Sequence, residues 1–232
     1  MSDIPLKTRV YTLLLVLITV AAGAILWRAG YQTFPTNDTS LRKLLIVAGI
    51  LLVMIVVAEV LDVSFPQAGQ TFTVSVSAAF CFAAGLTLGP VLGGMVAALA
   101  HIIDGGIARR QAIKTTVNAA GIGLSTLASA ALYLALADPA EWQIGNPRNL
   151  LTVFLSGTLF ALINAGSLAV IVAPVMGISP LEMFRTNTGG LHVELLTVTT
   201  LGCLIPVLVS ENPLSMIVLI VPMLFGPQAI RR

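Results

Sequence analysis

The sequence has few charged residues and few polar stretches. Only 9% of its 232 residues are charged, whereas 57% are hydrophobic, and the mean hydropathy is +0.98. A soluble domain carries about a quarter charged residues, so this composition indicates a membrane protein. The net charge of +2 gives no indication of nucleic-acid binding. The longest polar connections, about 28–42 and 137–149, are too short to form a domain, and we expect a single integral-membrane domain over 1–232.

Residues that support metal, redox or catalytic chemistry are also scarce. Cys81 and Cys203 each lie inside an apolar run, which argues against a structural disulfide or a metal site. Of the two histidines, only His101 lies well inside an apolar run, which argues against bis-histidine haem ligation. The motifs HExxH, GxSxG and the P-loop are absent, and the last two apolar runs contain no lysine for a retinal Schiff base. We therefore predict no catalytic residue, no metal site and no cofactor.

The stretch from Cys81 to Asn118 combines two apolar runs with a break and a basic turn. As one helix, residues 72–107 would be roughly 54 Å long, against a hydrocarbon core of about 30 Å. Gly89-Pro90 is where a helix would stop, because proline lacks the N–H and disfavours helix in the residue before it. We predict a hairpin of two short helices, about 73–88 and 90–107. Whether both helices cross the membrane or are re-entrant, the chain leaves on the side where it entered.

The other apolar runs predict an all-α, polytopic membrane helix bundle of about eight apolar helices. Outside the hairpin (73–107), the predicted spans are about 9–27, 43–61, 113–136, 150–175, 190–209 and 214–229. The alternating hydroxyl residues at Thr71, Thr73, Ser75 and Ser77 suit either an extended entry into the hairpin or a polar helical turn. Residues 179–185 are predicted as a short loop.

Eight crossings place the connections alternately on the two sides of the membrane. Most Lys and Arg residues then fall on the side of the N-terminus: Lys7, Arg9, Arg109, Arg110, Lys114, Arg185, Arg231 and Arg232. The remaining four, Arg28, Arg42, Lys43 and Arg148, fall on the other side. The positive-inside rule therefore predicts that both termini lie in the cytoplasm.

Ionisable residues inside a bilayer are costly, and by default they indicate a functional site. Gly93, Ala97, His101 and Asp104 lie on one face of the second hairpin helix. The small residues let a neighbouring helix approach, and His101 and Asp104 can bind a ligand, each other or a proton. The alternative is a packing face that ends in a His–Asp pair at the cytoplasmic interface.

Three further polar residues are candidates for ligand binding: Asn118, Asn164 and Glu194. The two asparagines also suit interhelical hydrogen bonding, which is their ordinary role in membrane helices. Glu194, followed by Thr197, is expected to point inward. Glu59, near the end of the second span, is interpreted as an interfacial residue that water solvates.

Several segments resemble the N-terminal membrane region of bacterial HD-GYP and GGDEF cyclic-di-GMP signalling proteins. The resemblance rests on LTLGPVLGGMVAALAHIIDGGIARRQAIKTTVNAAG, LFALINAGSLAVIVAPVMGISPLEMFRTN and LGCLIPVLVSENPLSMIVLIVPMLF, and covers roughly residues 71–228. It implies a non-enzymatic sensory or ligand-binding module in the bacterial inner membrane, with a protein partner in the membrane or cytoplasm and a small-molecule ligand.

Two alternatives remain open. AGLTLGPVLGGMVAALAHIID also resembles substrate-binding S components of energy-coupling-factor transporters, which implies a subunit for vitamin or cofactor uptake. The small residues Ala21, Ala22 and Ala24 suit docking on a partner, either in such a transporter or as a structural subunit of a membrane complex.

Overall fold

The computed structural model describes residues 5–31, 41–60, 63–67, 70–74, 76–137, 147–187, 191–212 and 215. Within these ranges the elements are α1 (Leu6–Arg28), α2 (Leu41–Val60), β1 (Val63–Gln67), β2 (Gln70–Val74), α3 (Val76–Leu88), α4 (Pro90–Ile107), α5 (Ala112–Leu136), α6 (Pro147–Met176), α7 (Pro180–Asn187) and α8 (Leu191–Glu211). Five of these helices, α1, α2, α4, α5 and α6, are long and apolar enough to cross a membrane. The predicted membrane helix bundle is confirmed, and the predicted span 214–229, apart from residue 215, lies outside the described residues.

The break between α3 and α4 lies at Gly89-Pro90, as predicted. Gly89 has a φ of 90°, which glycine adopts without a steric penalty, and Pro90 occupies the first position of α4, where no N–H is needed. The Gly89 N–H donates to the Gly85 carbonyl at 3.0 Å, and the Gly89 carbonyl accepts from the Gly93 N–H at 2.9 Å. The chain thus turns within one residue, which makes a tight helical hairpin.

The segment before the hairpin is extended. β1 and β2 pair antiparallel, with Val63 opposite Val74 and Gln67 opposite Gln70. Of the two interpretations of the alternating hydroxyl residues, the extended one is correct for Thr71 and Thr73, whereas Ser77 already belongs to α3. The first hairpin helix therefore begins at Val76 rather than at residue 73.

Helix α3 lies at the centre of the bundle. It packs against α2, α4, α5 and α8, and nearly every one of its 13 residues is buried. Its small alanine side chains let these neighbours come close, while Phe82 meets Phe160 of α6 edge to face at a centroid distance of 5.7 Å. With 13 residues, α3 is about 20 Å long, shorter than the roughly 30 Å hydrocarbon core. α1, by contrast, exposes a row of large apolar side chains, among them Leu13, Leu17 and Val20, as expected for a helix in contact with lipid.

One local prediction was wrong. Residues 180–187 form helix α7 rather than a loop. Pro180 occupies its first position, and the Ser179 hydroxyl accepts a hydrogen bond from the Glu182 N–H at 3.1 Å, which caps the helix start.

Candidate functional site

A set of buried charged side chains converges where α2, α3 and α4 end or begin. Glu59 is the penultimate residue of α2, and His101 and Asp104 lie in the last two turns of α4. Arg110 follows α4 in the turn that leads to α5. We call Glu59, His101, Asp104 and Arg110 the buried ionic cluster.

Within the buried ionic cluster, Arg110 forms ion pairs with both carboxylates, and His101 lies at a longer distance from Glu59. The Arg110 Nη2 atom lies 3.0 Å from Asp104 Oδ2 and 3.7 Å from Glu59 Oε2, and His101 Nε2 lies 3.9 Å from Glu59 Oε1. The Glu59, His101 and Asp104 side chains are only 8%, 7% and 3% exposed, whereas Arg110 is 31% exposed. Burial of a charge is destabilising unless the charge is paired, so Arg110 is the group that makes two buried carboxylates tolerable.

Helix α3 completes the surroundings of the cluster. The Ser77 hydroxyl donates a hydrogen bond to Glu59 Oε1, and the Cys81 sulfur lies 3.9 Å from His101 Nε2. The other ring nitrogen, His101 Nδ1, is buried and has no hydrogen-bond partner among the described residues. His101 therefore has one nitrogen facing a carboxylate and a thiol, and a second nitrogen that can accept or release a proton without breaking a described hydrogen bond.

The turn after α4 determines where Arg110 lies. Arg109 adopts a left-handed conformation with a φ of 50°, and the Arg110 N–H donates to the Gly105 carbonyl at 2.9 Å. A Cβ atom at Gly105 would overlap the side chain of Thr115, so glycine is required for α5 to approach α4 this closely. The reversal leaves Arg110 next to the end of the helix it has just left, within reach of Asp104.

The structure brings His101 and Asp104 together and adds two residues that the sequence interpretation missed, Glu59 and Arg110. Both predicted residues are buried, on the same face as the buried Gly93 and Ala97. The interpretation of Glu59 as a water-solvated interfacial residue is wrong, because its side chain is 8% exposed and faces His101 and Arg110. A signal existed in the sequence: an acidic residue ends one span, and a basic pair follows the helix that carries His101 and Asp104.

The other predicted residues lie elsewhere. Asn118 lines a cavity of about 750 Å³ between α1, α5 and α6, which we call the α1–α5–α6 groove and which shares only Arg110 with the buried ionic cluster. Its lining includes Thr8, Arg110, Lys114, Asn118, Ile171 and Val172. Asn164 is half-buried on α6 and is not part of this lining, and the side chain of Glu194 lies outside the described residues. The four candidates whose side chains are described therefore do not form one site.

Metal binding has no structural support in the described part of the chain. No group of three or more His, Cys, Asp or Glu side chains is arranged there to hold a metal ion.

None of the family models, curated proteins or solved structures compared with the chain matches it. The resemblance to membrane regions of cyclic-di-GMP signalling proteins, and the weaker one to S components, stay predictions. The indications of function come from the buried ionic cluster and the groove.

Proposed function

We propose that this chain is a non-enzymatic sensory module of the membrane and that the buried ionic cluster is its stimulus-binding site. The observation that carries the proposal is the position of His101, whose side chain is only 7% exposed and faces Glu59 at 3.9 Å. Ionisable side chains at such positions are functional by default, because apolar packing would be less costly there. Histidine is also the side chain whose charge ordinarily changes between about pH 5 and 8.

The charges of the cluster favour a positively charged stimulus. With both carboxylates ionised and the imidazole neutral, Glu59, Asp104 and Arg110 together carry a formal charge of −1. A proton on His101 brings this sum to zero. Electrostatic interactions are stronger in a buried site than in water, so the gain or loss of one charge has a large effect on the neighbouring groups.

Arg110 connects this change to the rest of the protein. Its guanidinium lies near both Glu59 and Asp104, and a protonated His101 would compete with it for Glu59. We propose that this competition shifts the turn at 108–111, which joins α4 to α5. A partner on that side of the membrane would then respond to the altered turn.

The proposal includes a setting for the module. The chain acts in the bacterial inner membrane with both termini in the cytoplasm, together with a signalling partner in the membrane or cytoplasm. The resemblance to cyclic-di-GMP signalling proteins supports this setting. Co-purification of the chain with an ATPase and a transmembrane coupling subunit would instead favour vitamin or cofactor uptake.

The proposal predicts that protonation of His101 changes the α4–α5 turn. The full chain is placed in lipid nanodiscs with its histidines labelled with nitrogen-15, and His192→Gln leaves His101 as the only imidazole. We expect the His101 resonance to titrate between about pH 5 and 8, accompanied by altered hydrogen exchange at residues 105–112 after correction for the intrinsic rate.

The matched variants are His101→Gln and His192→Gln, which each remove one of the two histidines. We expect His101→Gln to abolish the pH-dependent exchange change and His192→Gln to retain it. A His101 resonance that titrates while exchange at the turn stays constant would contradict the proposal. So would a His101 that keeps one protonation state across this pH range.

A further inference from the structure

The α1–α5–α6 groove has an apolar wall that reaches the surface of the molecule. Its volume of about 750 Å³ lies within the range of about 300–1,000 Å³ that small-molecule sites occupy. On the α6 side it is lined by Leu168, Ile171, Val172 and Val175. Leu168 and Val175 are 40% and 60% exposed, whereas Ile171 is 4% exposed, so the wall leads from the interior toward the surrounding lipid.

The side formed by α5 and the turn before it carries polar and basic residues alongside the apolar Ile113 and Val117. Arg110 and Lys114 supply two cationic side chains, and Gln111 and Asn118 supply amides. None of the described residues that line the groove is acidic. Since Arg110 also contacts Asp104 at 3.0 Å, the exposed Lys114 is the groove's cation without a described carboxylate partner. The charge of this end is complementary to an anion.

A buried threonine also belongs to the lining of the groove. Thr8 lines the groove and is only 4% exposed, and its Oγ1 atom has no hydrogen-bond partner among the described residues. A buried polar atom without a partner is destabilising, and such atoms are rare in folded proteins. Thr8 is therefore a polar position in the wall, but its Oγ1 atom is too buried to contact a molecule in the groove.

We propose that the groove binds an anionic phospholipid from the adjoining leaflet. The phosphate lies at Lys114, because Arg110 already pairs with Asp104 and lies near Glu59, and an acyl chain lies along the apolar α6 wall. Basic pockets between transmembrane helices recognise anionic head groups in this way. The inference goes beyond the proposed sensory function, and its test uses Lys114 rather than Arg110, so that it can fail independently of the buried ionic cluster.

The test measures which lipids the full chain retains. The chain is reconstituted in mixed nanodiscs of phosphatidylcholine and phosphatidylglycerol, and bound lipid is counted by native mass spectrometry. Wild type is expected to retain phosphatidylglycerol preferentially, and Lys114→Gln is expected to retain it about five-fold less, which is the effect expected of one basic residue. Arg28→Gln is the control. It removes the same charge from the end of α1 that does not line the groove, so it should leave the retention of phosphatidylglycerol unchanged.

A second variant tests the apolar wall. Val172→Phe narrows the groove without changing its charge, so we expect reduced retention of phosphatidylglycerol at an unchanged melting temperature. Equal retention of both lipids by wild type, or equal retention of phosphatidylglycerol by wild type and Lys114→Gln, would overturn the proposal. A third measurement follows the chemical modification of the Lys114 amine. If millimolar inorganic phosphate protects Lys114 as completely as phosphatidylglycerol does, the groove binds a free anion, and the proposal of a lipid is overturned.

Discussion

At the scale of single residues, the stability of the cluster depends on one guanidinium. Arg110 lies within 4 Å of two carboxylates that are less than a tenth exposed. Its removal leaves these carboxylates to face each other and His101 without a fixed cation, and the loss of one partner of a buried ion pair costs about 3–5 kcal/mol. Because Arg110 is itself 31% exposed, water screens part of this effect, and a smaller value applies here.

We therefore predict that Arg110→Gln lowers the free energy of unfolding by about 2 kcal/mol, as measured by chemical denaturation in mild detergent. Arg109→Gln is the matched control, since Arg109 is exposed and carries the same charge one position earlier. Its effect should stay within about 0.5 kcal/mol, as for most surface substitutions. Equal effects of the two substitutions would show that Arg110 does not stabilise the buried carboxylates.

The same residues show what the sequence can predict of a site. His101 and Asp104 lie three positions apart on one helix, so their shared face follows from helical periodicity alone. Glu59 reaches them from another helix, and its burial depends on how α2 packs against α4, which no local pattern encodes. Asn118 and Asn164 have similar sequence surroundings but different places in the bundle, because their positions follow from the packing of α5 and α6.

At the scale of the elements, the close packing of α3 against α4 depends on Gly93. A Cβ atom at Gly93 would lie 2.6 Å from the Cα of Gly85 and from the carbonyl oxygen of Ala84. Both are backbone atoms, so the substitution cannot be accommodated by a rotamer change, and the two helices would have to separate. Overpacking of this kind costs about 1–3 kcal/mol.

We predict that Gly93→Ala lowers the melting temperature of the full chain and the free energy of unfolding by about 1–3 kcal/mol. Gly106→Ala in the same helix is the control, because a Cβ there meets nothing within 4 Å. That control should be neutral or slightly stabilising, by up to about 1 kcal/mol, since alanine favours the helix more than glycine. A neutral Gly93→Ala would mean that α3 and α4 are not packed this closely.

Helix boundaries could be predicted from the sequence where the residues at the boundary determine them. The break between α3 and α4 follows from Gly89-Pro90, because proline begins a helix and glycine tolerates the positive φ. Helix α7 was missed, although Ser179-Pro180 is a start signal of the same kind, because a short polar segment between two apolar runs was assigned to a loop. The β1–β2 pair was one of two open interpretations, since cross-strand pairing decides it rather than the alternating pattern alone.

At the scale of the whole molecule, the number of crossings determines where each terminus lies. α3 and residues 195–209 of α8 are apolar helical segments shorter than the five long helices, and whether each crosses the bilayer sets the side on which the chain ends. In the predicted topology α3 enters the membrane and α4 leaves it, so the hairpin returns the chain to the side where it entered. Arg109, Arg110 and Lys114 follow that hairpin, and the eight-crossing arrangement places them with both termini on the cytoplasmic side.

This arrangement makes a prediction for reporter fusions in a bacterial host. A reporter at Arg232 should be active in the cytoplasm, whereas one within 138–149 should be active outside it, because the positive-inside rule places the larger group of basic residues in the cytoplasm. A fusion within 32–40 is the internal control and should report the same side as 138–149, since an even number of crossings separates the two connections. If the reporters at Arg232 and within 138–149 lie on one side, the number of crossings after residue 149 is even rather than odd. The C-terminus would then lie away from Arg110, and a cytoplasmic partner could not contact both.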